Sequence, residues 1–282
     1  MASESPLADD GLDTPEIGPW GEHKYRLAQG YARVFATAMK RKWDLRVYID
    51  LFAGSGRARI EGTNRIVLTS PLLALEIPDR FDQYVFCELE PTKIQALEIR
   101  VKREYGSAGI HFVPGDVNAE IEEVMQKLPA LAKTRKVLAF CFVDPFRLED
   151  LKFESIRRLS SRYIDFLILV PTDMDANRNM LRYCQPTNRT LDEFLGTSSW
   201  RQNWQEVELK GEPFWGFVLK FFALQMENLD YLDHAAEQAE LIRSVARNLP
   251  LYRLAFFSRH PLGARFWGQV KKYTTPQTSF GF

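Results

Sequence analysis

The chain has little from which to build a disulfide or zinc scaffold. Its 282 residues include three cysteines, Cys87, Cys141 and Cys184. None forms a Cys-x-x-Cys pair, and no histidine neighbours them at zinc-ligand spacing. The odd count, with no secretory signal, points to a reducing cytoplasm. Cys87 and Cys141 sit within apolar runs and read as small buried hydrophobes. Long apolar runs are also missing. The longest, near 137–146 and 163–171, fall far short of the roughly 20 residues that a transmembrane helix needs, so no membrane span is expected. Charge of one sign is lacking as well: 37 Lys and Arg balance 37 Asp and Glu, and no global field argues for nucleic acid. The distribution is less even. Residues 1–22 carry Glu4, Asp9, Asp10, Asp13, Glu16 and Glu22 and no Lys or Arg, which leaves 37 basic against 31 acidic residues in the remainder. That modest surplus suits an anionic partner. There is no internal repeat and no low-complexity tract.

What is present begins with Arg46-Val47-Tyr48-Ile49-Asp50-Leu51-Phe52-Ala53-Gly54-Ser55-Gly56-Arg57. Val47, Tyr48 and Ile49 are strand formers. Gly54 and Gly56 permit positive φ and let a ligand approach the main chain. A phosphate-cradling loop would need Lys after the last glycine, and none follows Gly56. A dinucleotide site wants a third glycine where Arg59 stands. The remaining pattern, Asp-x-Phe-x-Gly-x-Gly, resembles the first motif of S-adenosylmethionine (SAM)-dependent methyltransferases. In that family the acid and the glycine turn face the methionine and ribose ends of SAM. A tight strand-to-helix turn in another α/β protein is the plain alternative.

Residues 1–18 lack periodicity and are expected to form a disordered acidic tail. Leu27, Tyr31, Val34, Phe35 and Ala38 recur at helical spacing from Trp20 to about Arg41. Residues 57–69 read as a loop, and Ser70-Pro71 as the opening of a helix over Leu72–Ile77. Strands are predicted at 84–88, 110–113, 137–143, 164–170 and 251–258, with helices at 91–105, 119–128, 152–159 and 214–228. The run at 137–143 is apolar on both faces, as a central parallel strand should be. Strands alternating with helices predict an α/β fold with a doubly wound, mostly parallel sheet of seven strands. Residues 171–212 are polar and break the rhythm. They read as an insertion, with Trp200 and Trp204 one helical turn apart and anchoring it to the core. Residues 230–249 are ambiguous between strand and helix.

Ligands of open α/β sheets bind beyond the carboxyl ends of the strands. Four successive strand ends carry acids: Asp50, then Glu88, then Asp116 in Gly115-Asp116-Val117-Asn118, then Asp144 in Asp144-Pro145-Phe146-Arg147. Glu88 is placed to accept from ribose hydroxyls, and Asp116 from the adenine amino group. Singly each acid could be an ordinary strand-end or helix-cap residue; together, in this order, they match the SAM-binding series. Amino-methyltransferases acting on adenine or guanine carry Asp/Asn-Pro-Pro-Tyr/Phe at the fourth strand end. There the acid and a backbone carbonyl accept from the exocyclic amine, and the aromatic stacks on the base. Here the second proline is missing. Asp-Pro-Phe resembles the motif of tRNA guanine-N2 methyltransferases, with Arg147 where those have Gly. Cytosine-C5 methylation lacks its Pro-Cys nucleophile. Arg57 could meet the SAM carboxylate or a substrate phosphate. The cluster Lys40, Arg41, Lys42 and Arg46 reads as a solvated helix end, and His260 as a turn residue.

Over residues 20–275 the chain resembles the three-Cys-motif partner proteins. The likeness rests on Trp20…Lys24…Leu27…Tyr31, the Tyr48–Arg57 stretch, Ser70-Pro71-Leu72-Leu73-Ala74-Leu75 and Phe86-Cys87-Glu88. It continues through Gly115-Asp116-Val117-Asn118, Phe142-Val143-Asp144-Pro145-Phe146, Leu251-Tyr252-Arg253-Leu254 and Ser258-Arg259-His260-Pro261. The resemblance implies a bacterial or phage protein with a Rossmann-like, class I SAM-methyltransferase-like domain over 19–282. It implies SAM held by Asp50, Phe52, Ala53, Gly54, Gly56, Glu88, Asp116 and Val117, a catalytic set of Asp144, Pro145 and Phe146, and no metal. It also implies a partner with a three-cysteine motif, of radical-SAM-like type. Two roles follow as expectations: a methyltransferase acting on nucleic acid, or a non-catalytic SAM-fold partner of that neighbour.

Overall fold

The computed structural model describes residues 7–130, 134–233, 235–244 and 246–274. Along the chain run β1 (Glu16–Ile17), α1 (Gly21–Met39), β2 (Leu45–Asp50), β3 (Arg57–Ile60), β4 (Ile66–Leu68), α2 (Ser70–Leu75), β5 (Gln83–Glu88), α3 (Pro91–Glu104) and β6 (Ile110–Pro114). Then come α4 (Val117–Lys127), β7 (Val137–Val143), α5 (Phe153–Leu159), β8 (Ile164–Val170), α6 (Met180–Tyr183), α7 (Thr190–Phe194), α8 (Trp200–Glu208) and α9 (Phe214–Glu227). The last elements are α10 (Ala235–Gln238), β9 (Glu240–Arg243), β10 (Pro250–Phe257) and α11 (Pro261–Thr274).

Seven strands form the main sheet in the order β6-β5-β2-β7-β8-β10-β9. Only β10 runs against the rest, pairing antiparallel with β8 and with β9. The order reverses between β2 and β7, the switch point at which open α/β sheets bind ligands. This is the doubly wound, Rossmann-like arrangement of class I methyltransferases. Its central strands bury both faces. In β7, Ala139, Cys141 and Val143 join the cluster under α4, α5 and α9, while Phe140 and Phe142 join the cluster under α1, α2 and α11. The second face is built from rings: Tyr48 lies 5.8 Å from Phe140, and Tyr31 lies 4.9 Å from it. Each such wholly buried aromatic is worth about 1.5–3 kcal/mol of transfer free energy, so this face sets where α1 sits. Among the described residues no helix is long and apolar enough to cross a membrane.

Two expectations are corrected. Residues 57–69 are not a loop but a hairpin, β3 and β4, antiparallel in register Arg57↔Leu68. Residues 7–18 are not a disordered tail. Strand β1 pairs parallel with β3, and Asp10 meets Arg100 at 2.7 Å, Arg103 at 3.0 Å and Arg57 at 3.3 Å. Asp9, Asp10 and Glu22 of the acidic run are counter-charges of Arg59, Arg100 and Arg65 far along the chain, and Arg100 holds the Asp10 carboxyl well below the usual carboxylate range. Residues 1–6 and 275–282 lie outside the described residues. The basic cluster also divides: Lys40 pairs with Asp79, while Arg46 is buried and pairs with Asp82.

The 171–212 segment carries a π-helical turn, Thr172–Ala176, and α6 to α8. Trp200 and Trp204 are buried, and Trp204 packs edge-on to Phe214 at 4.9 Å. They anchor the segment, as their spacing suggested. The ambiguous 230–249 region resolves into α10 and the edge strand β9.

Candidate functional site

The glycine turn after β2 works through two differently placed glycines. Gly54 has φ 63° and Gly56 φ 84°, both in the left-handed region. A Cβ on Gly54 would meet nothing within 4 Å, so the backbone there borders open space. A Cβ on Gly56 would lie 2.8 Å from Leu97 and 2.9 Å from Leu72. Gly54 lines a cavity; Gly56 lets α3 and α2 close onto the turn.

That cavity, about 530 Å³, opens at the carboxyl ends of the strands. Of the expected residues, Phe52, Gly54, Glu88, Asp116, Val117, Asp144, Pro145 and Phe146 line it. Asp50, Ala53 and Gly56 do not; they stand behind its wall. The Asp50 carboxylate accepts from the Phe52 N–H and the Tyr48 hydroxyl, both at 3.3 Å. Burial pushes its pKa up to about 7, with the nearby Asp144 charge adding and the Ser70 hydrogen bond opposing. Ala53 donates its N–H to the Cys87 carbonyl at 2.9 Å, tying the turn to β5.

Glu88 reaches across from β5. One carboxylate oxygen accepts from the Gly54 N–H at 2.8 Å and the other from the Glu90 N–H at 3.0 Å. Each oxygen keeps a second lone pair for a ligand hydroxyl. Asp116 is the N-cap of α4 and accepts from the Asn118 N–H at 2.8 Å and its Nδ2 at 3.0 Å, both on Oδ1. It is exposed at the rim.

Asp144, the last of the strand-end acids, also lines the cavity. Its carboxylate pairs with Lys24 Nζ, from α1, at 2.6 Å. Burial raises the Asp144 pKa and Lys24 opposes the rise. Burial works against the Lys24 ammonium more than any other single influence, but the Asp144 charge and hydrogen bond, with Tyr252 and Asp50, together raise its pKa. The Lys24 ammonium lies 4.9 Å from the Tyr25 ring and 5.7 Å from that of Tyr252. Among the described residues the buried Tyr252 hydroxyl has no hydrogen-bond partner. Phe146, at the opposite extreme, is 72% exposed. The loop that carries it is held by the insertion: the Leu148 N–H donates to Asp175 at 2.7 Å. Asp175 is also bonded by Asn179 and Tyr183, and Pro171 and Met174 join the cavity wall.

Several residues of the site were not legible as such. Lys24 stood out only as part of a family likeness, and Tyr252 and Asp175 not as site residues at all. Pro15 to Gly18, read as tail, line the cavity mouth. Arg57, read as a candidate anion contact, faces away and binds Glu104 at 2.8 Å. His260 serves in a turn, its Nδ1 accepting from the Leu262 N–H at 3.1 Å. Among the described residues no cluster of His, Cys, Asp and Glu could hold a metal.

Protein LPL1258 of Legionella pneumophila, of family DUF519, superimposes over 92% of this chain and 95% of its own, with TM-score 0.51 and 12% identity. The strand order and directions, with β10 alone antiparallel, give the chain the class I methyltransferase-like fold. TYW2 of P. horikoshii, solved with MeSAdo, aligns over 91% and 72% of the two chains with TM-score 0.42 and 12% identity. The N-terminal domain of human METTL16, solved with SAH, aligns over 84% and 70% with TM-score 0.38 and 12% identity. No protein-family model matches the chain, and no curated protein matches it. At these identities the likeness to LPL1258 establishes the fold alone.

Proposed function

We propose that the protein is a SAM-dependent methyltransferase with its cofactor in the 530 Å³ cavity. One observation carries this reading: three acids from consecutive strand ends, Glu88, Asp116 and Asp144, converge on one cavity with the open backbone of Gly54. The residues fit the cofactor. Glu88 offers carboxylate lone pairs to ribose hydroxyls, Asp116 offers Oδ2 to the adenine amine, and the acids suit a ligand carrying a positive sulfonium. Bound there, SAM supplies a methyl group for in-line transfer to a nucleophile. The chain's part is orientation and exclusion of water. Asp144, paired with Lys24, accepts a hydrogen bond from the acceptor, and exposed Phe146 offers a ring on which a base can stack. A nucleic-acid base with an exocyclic amine is the acceptor that this pairing suits. The three-Cys-motif partner resemblance adds a three-cysteine neighbour as the protein's partner. A reducing compartment suits three free cysteines, two of them buried.

A second reading, a non-catalytic SAM-fold partner of that neighbour, is favoured by one contact. Lys24 already occupies the Asp144 carboxylate at 2.6 Å, on the group an amine would need. Radiolabelled SAM incubated with separate pools of tRNA, rRNA, DNA and the neighbouring protein decides between the two. Label in one pool that disappears in Asp144→Ala supports the enzyme. Co-purification with the neighbour without label in any pool supports the partner, and no label together with no SAH binding by calorimetry sinks the enzyme.

A further inference from the structure

A second cavity, of about 250 Å³, lies at the opposite end of the sheet. It sits between α1 and α11, over the amino ends of β7 and β8, far from the strand ends that carry the acids of the first. Both ends of the family-like pattern meet there: Tyr31 from the first helix, and Ser258 and His260 from the last motif. The methyl-transfer reading makes no use of them.

The walls are aromatic, from Tyr31, Phe35, Trp43 and Phe266. The floor is a carboxylate. Asp165 is 9% exposed and accepts from the Tyr31 hydroxyl at 2.7 Å. Burial pushes its pKa up to about 6, with Ser258 and Tyr31 opposing, so near pH 7.5 it is mostly ionised. Among the described residues no Lys, Arg or His stands within ion-pair distance of it. The nearby cations are committed elsewhere. The Arg259 guanidinium donates to the carbonyls of Leu229, Arg162 and Ser160 and lies over the Tyr231 ring at 4.4 Å. His260 accepts at Nδ1 from the Leu262 N–H. Lys42 is exposed at the rim.

The Arg259 and His260 charges favour the Asp165 carboxylate only from beyond contact distance; a buried carboxylate with no cation in direct contact is costly, and a ring of aromatic faces is a favourable surface for one. We propose that this second cavity binds a small organic ammonium ion, its nitrogen against Asp165 and its apolar body among the Phe35, Trp43 and Phe266 rings. The volume is below the roughly 300–1,000 Å³ of drug-sized ligand sites, so the ligand is a single ring or short chain bearing an amine.

Calorimetry of the full-length chain at pH 7.5 with three probes of one shape tests this: benzylamine, benzyl alcohol and benzoate. Benzylamine should bind about tenfold or more tightly than benzyl alcohol, and benzoate most weakly, as cation–π attraction plus a carboxylate partner requires. In Asp165→Asn, which keeps an acceptor for Tyr31, the preference for the amine should vanish. Benzyl alcohol binding as well as benzylamine would mean a packing gap and overturn the proposal. So would failure of benzylamine to bind at millimolar concentration, or an amine preference that survives in the variant. The ranking of the probes on the unaltered protein decides the matter even if the variant does not fold.

Discussion

Replacing Asp50 by Asn should make the protein more stable above neutral pH, although it removes an acid beside the glycine turn. Asp50 is wholly buried, and its pKa rises from 3.8 in an unperturbed carboxyl to about 7. Below pH 3.8 both folded and unfolded chains hold the proton, and the group leaves stability unchanged. Between there and pH 7 the unfolded chain has released its proton while the folded chain keeps it, so stability falls as pH rises. The full cost, reached above pH 7, is about 4 kcal/mol at 1.36 kcal/mol per pKa unit. Asparagine avoids that cost. Its Oδ1 still accepts two hydrogen bonds, so the loss among the Tyr48, Phe52 and Ser70 donors is about 1 kcal/mol. The advantage of Asp50→Asn should therefore be under about 1 kcal/mol at pH 5 and about 3 kcal/mol at pH 8. Urea unfolding of both proteins at pH 5, 6, 7 and 8 measures it, since the other titrating groups cancel in the difference. A stability difference that stays constant across that range would refute the argument and show Asp50 ionised throughout.

The two glycines should separate in the same assay. Gly56→Ala meets Leu97 and Leu72 at a φ of 84° and should cost more than about 2 kcal/mol, whereas Gly54→Ala, facing open space, should cost about 1–2 kcal/mol for its left-handed backbone alone. Equal losses would contradict the close packing at Gly56. Arg100 is fully buried and donates to Asp10, to Thr14 and to the carbonyls of Asp13 and Ser55. Arg100→Met should cost about 3–5 kcal/mol and speed amide exchange over residues 10–18, and unchanged exchange there would show the segment held by other contacts. Phe146→Ala should leave stability within about 0.5 kcal/mol and SAH affinity unaltered while lowering methyl transfer; a matching loss of SAH affinity would place the ring on the cofactor instead.

The strands and their terminal acids could be read from the sequence because the forces that set them are local. Alternating or continuous apolar residues choose strand over helix within a few positions, and a glycine with positive φ ends a strand wherever its neighbours fold. Thus Val137–Val143 and Ile164–Val170 stand where the apolar runs placed them. The hairpin at 57–68 was missed because four- and three-residue strands carry almost no periodic signal. The N-terminal segment was missed for a different reason. A run of acids looks solvated until its partners arrive, and Arg100 lies 90 residues from Asp10.

By itself, then, the sequence determined the doubly wound sheet, the glycine turn and the row of acids at the carboxyl ends of the strands. Only the tertiary structure decided which of those groups a ligand can reach. Glu88, Asp116 and Asp144 line the cavity, whereas Asp50, Ala53 and Gly56 hold up its wall. Only the packing of α1 across the strand ends gave Asp144 its lysine, and only the approach of α1 and α11 left Asp165 at the floor of a second cavity. The reason is one of range. Backbone preference acts between neighbours in the chain, while burial, ion pairing and cavity shape depend on residues such as Tyr31 and Asp165, 134 positions apart, that meet only in the folded protein.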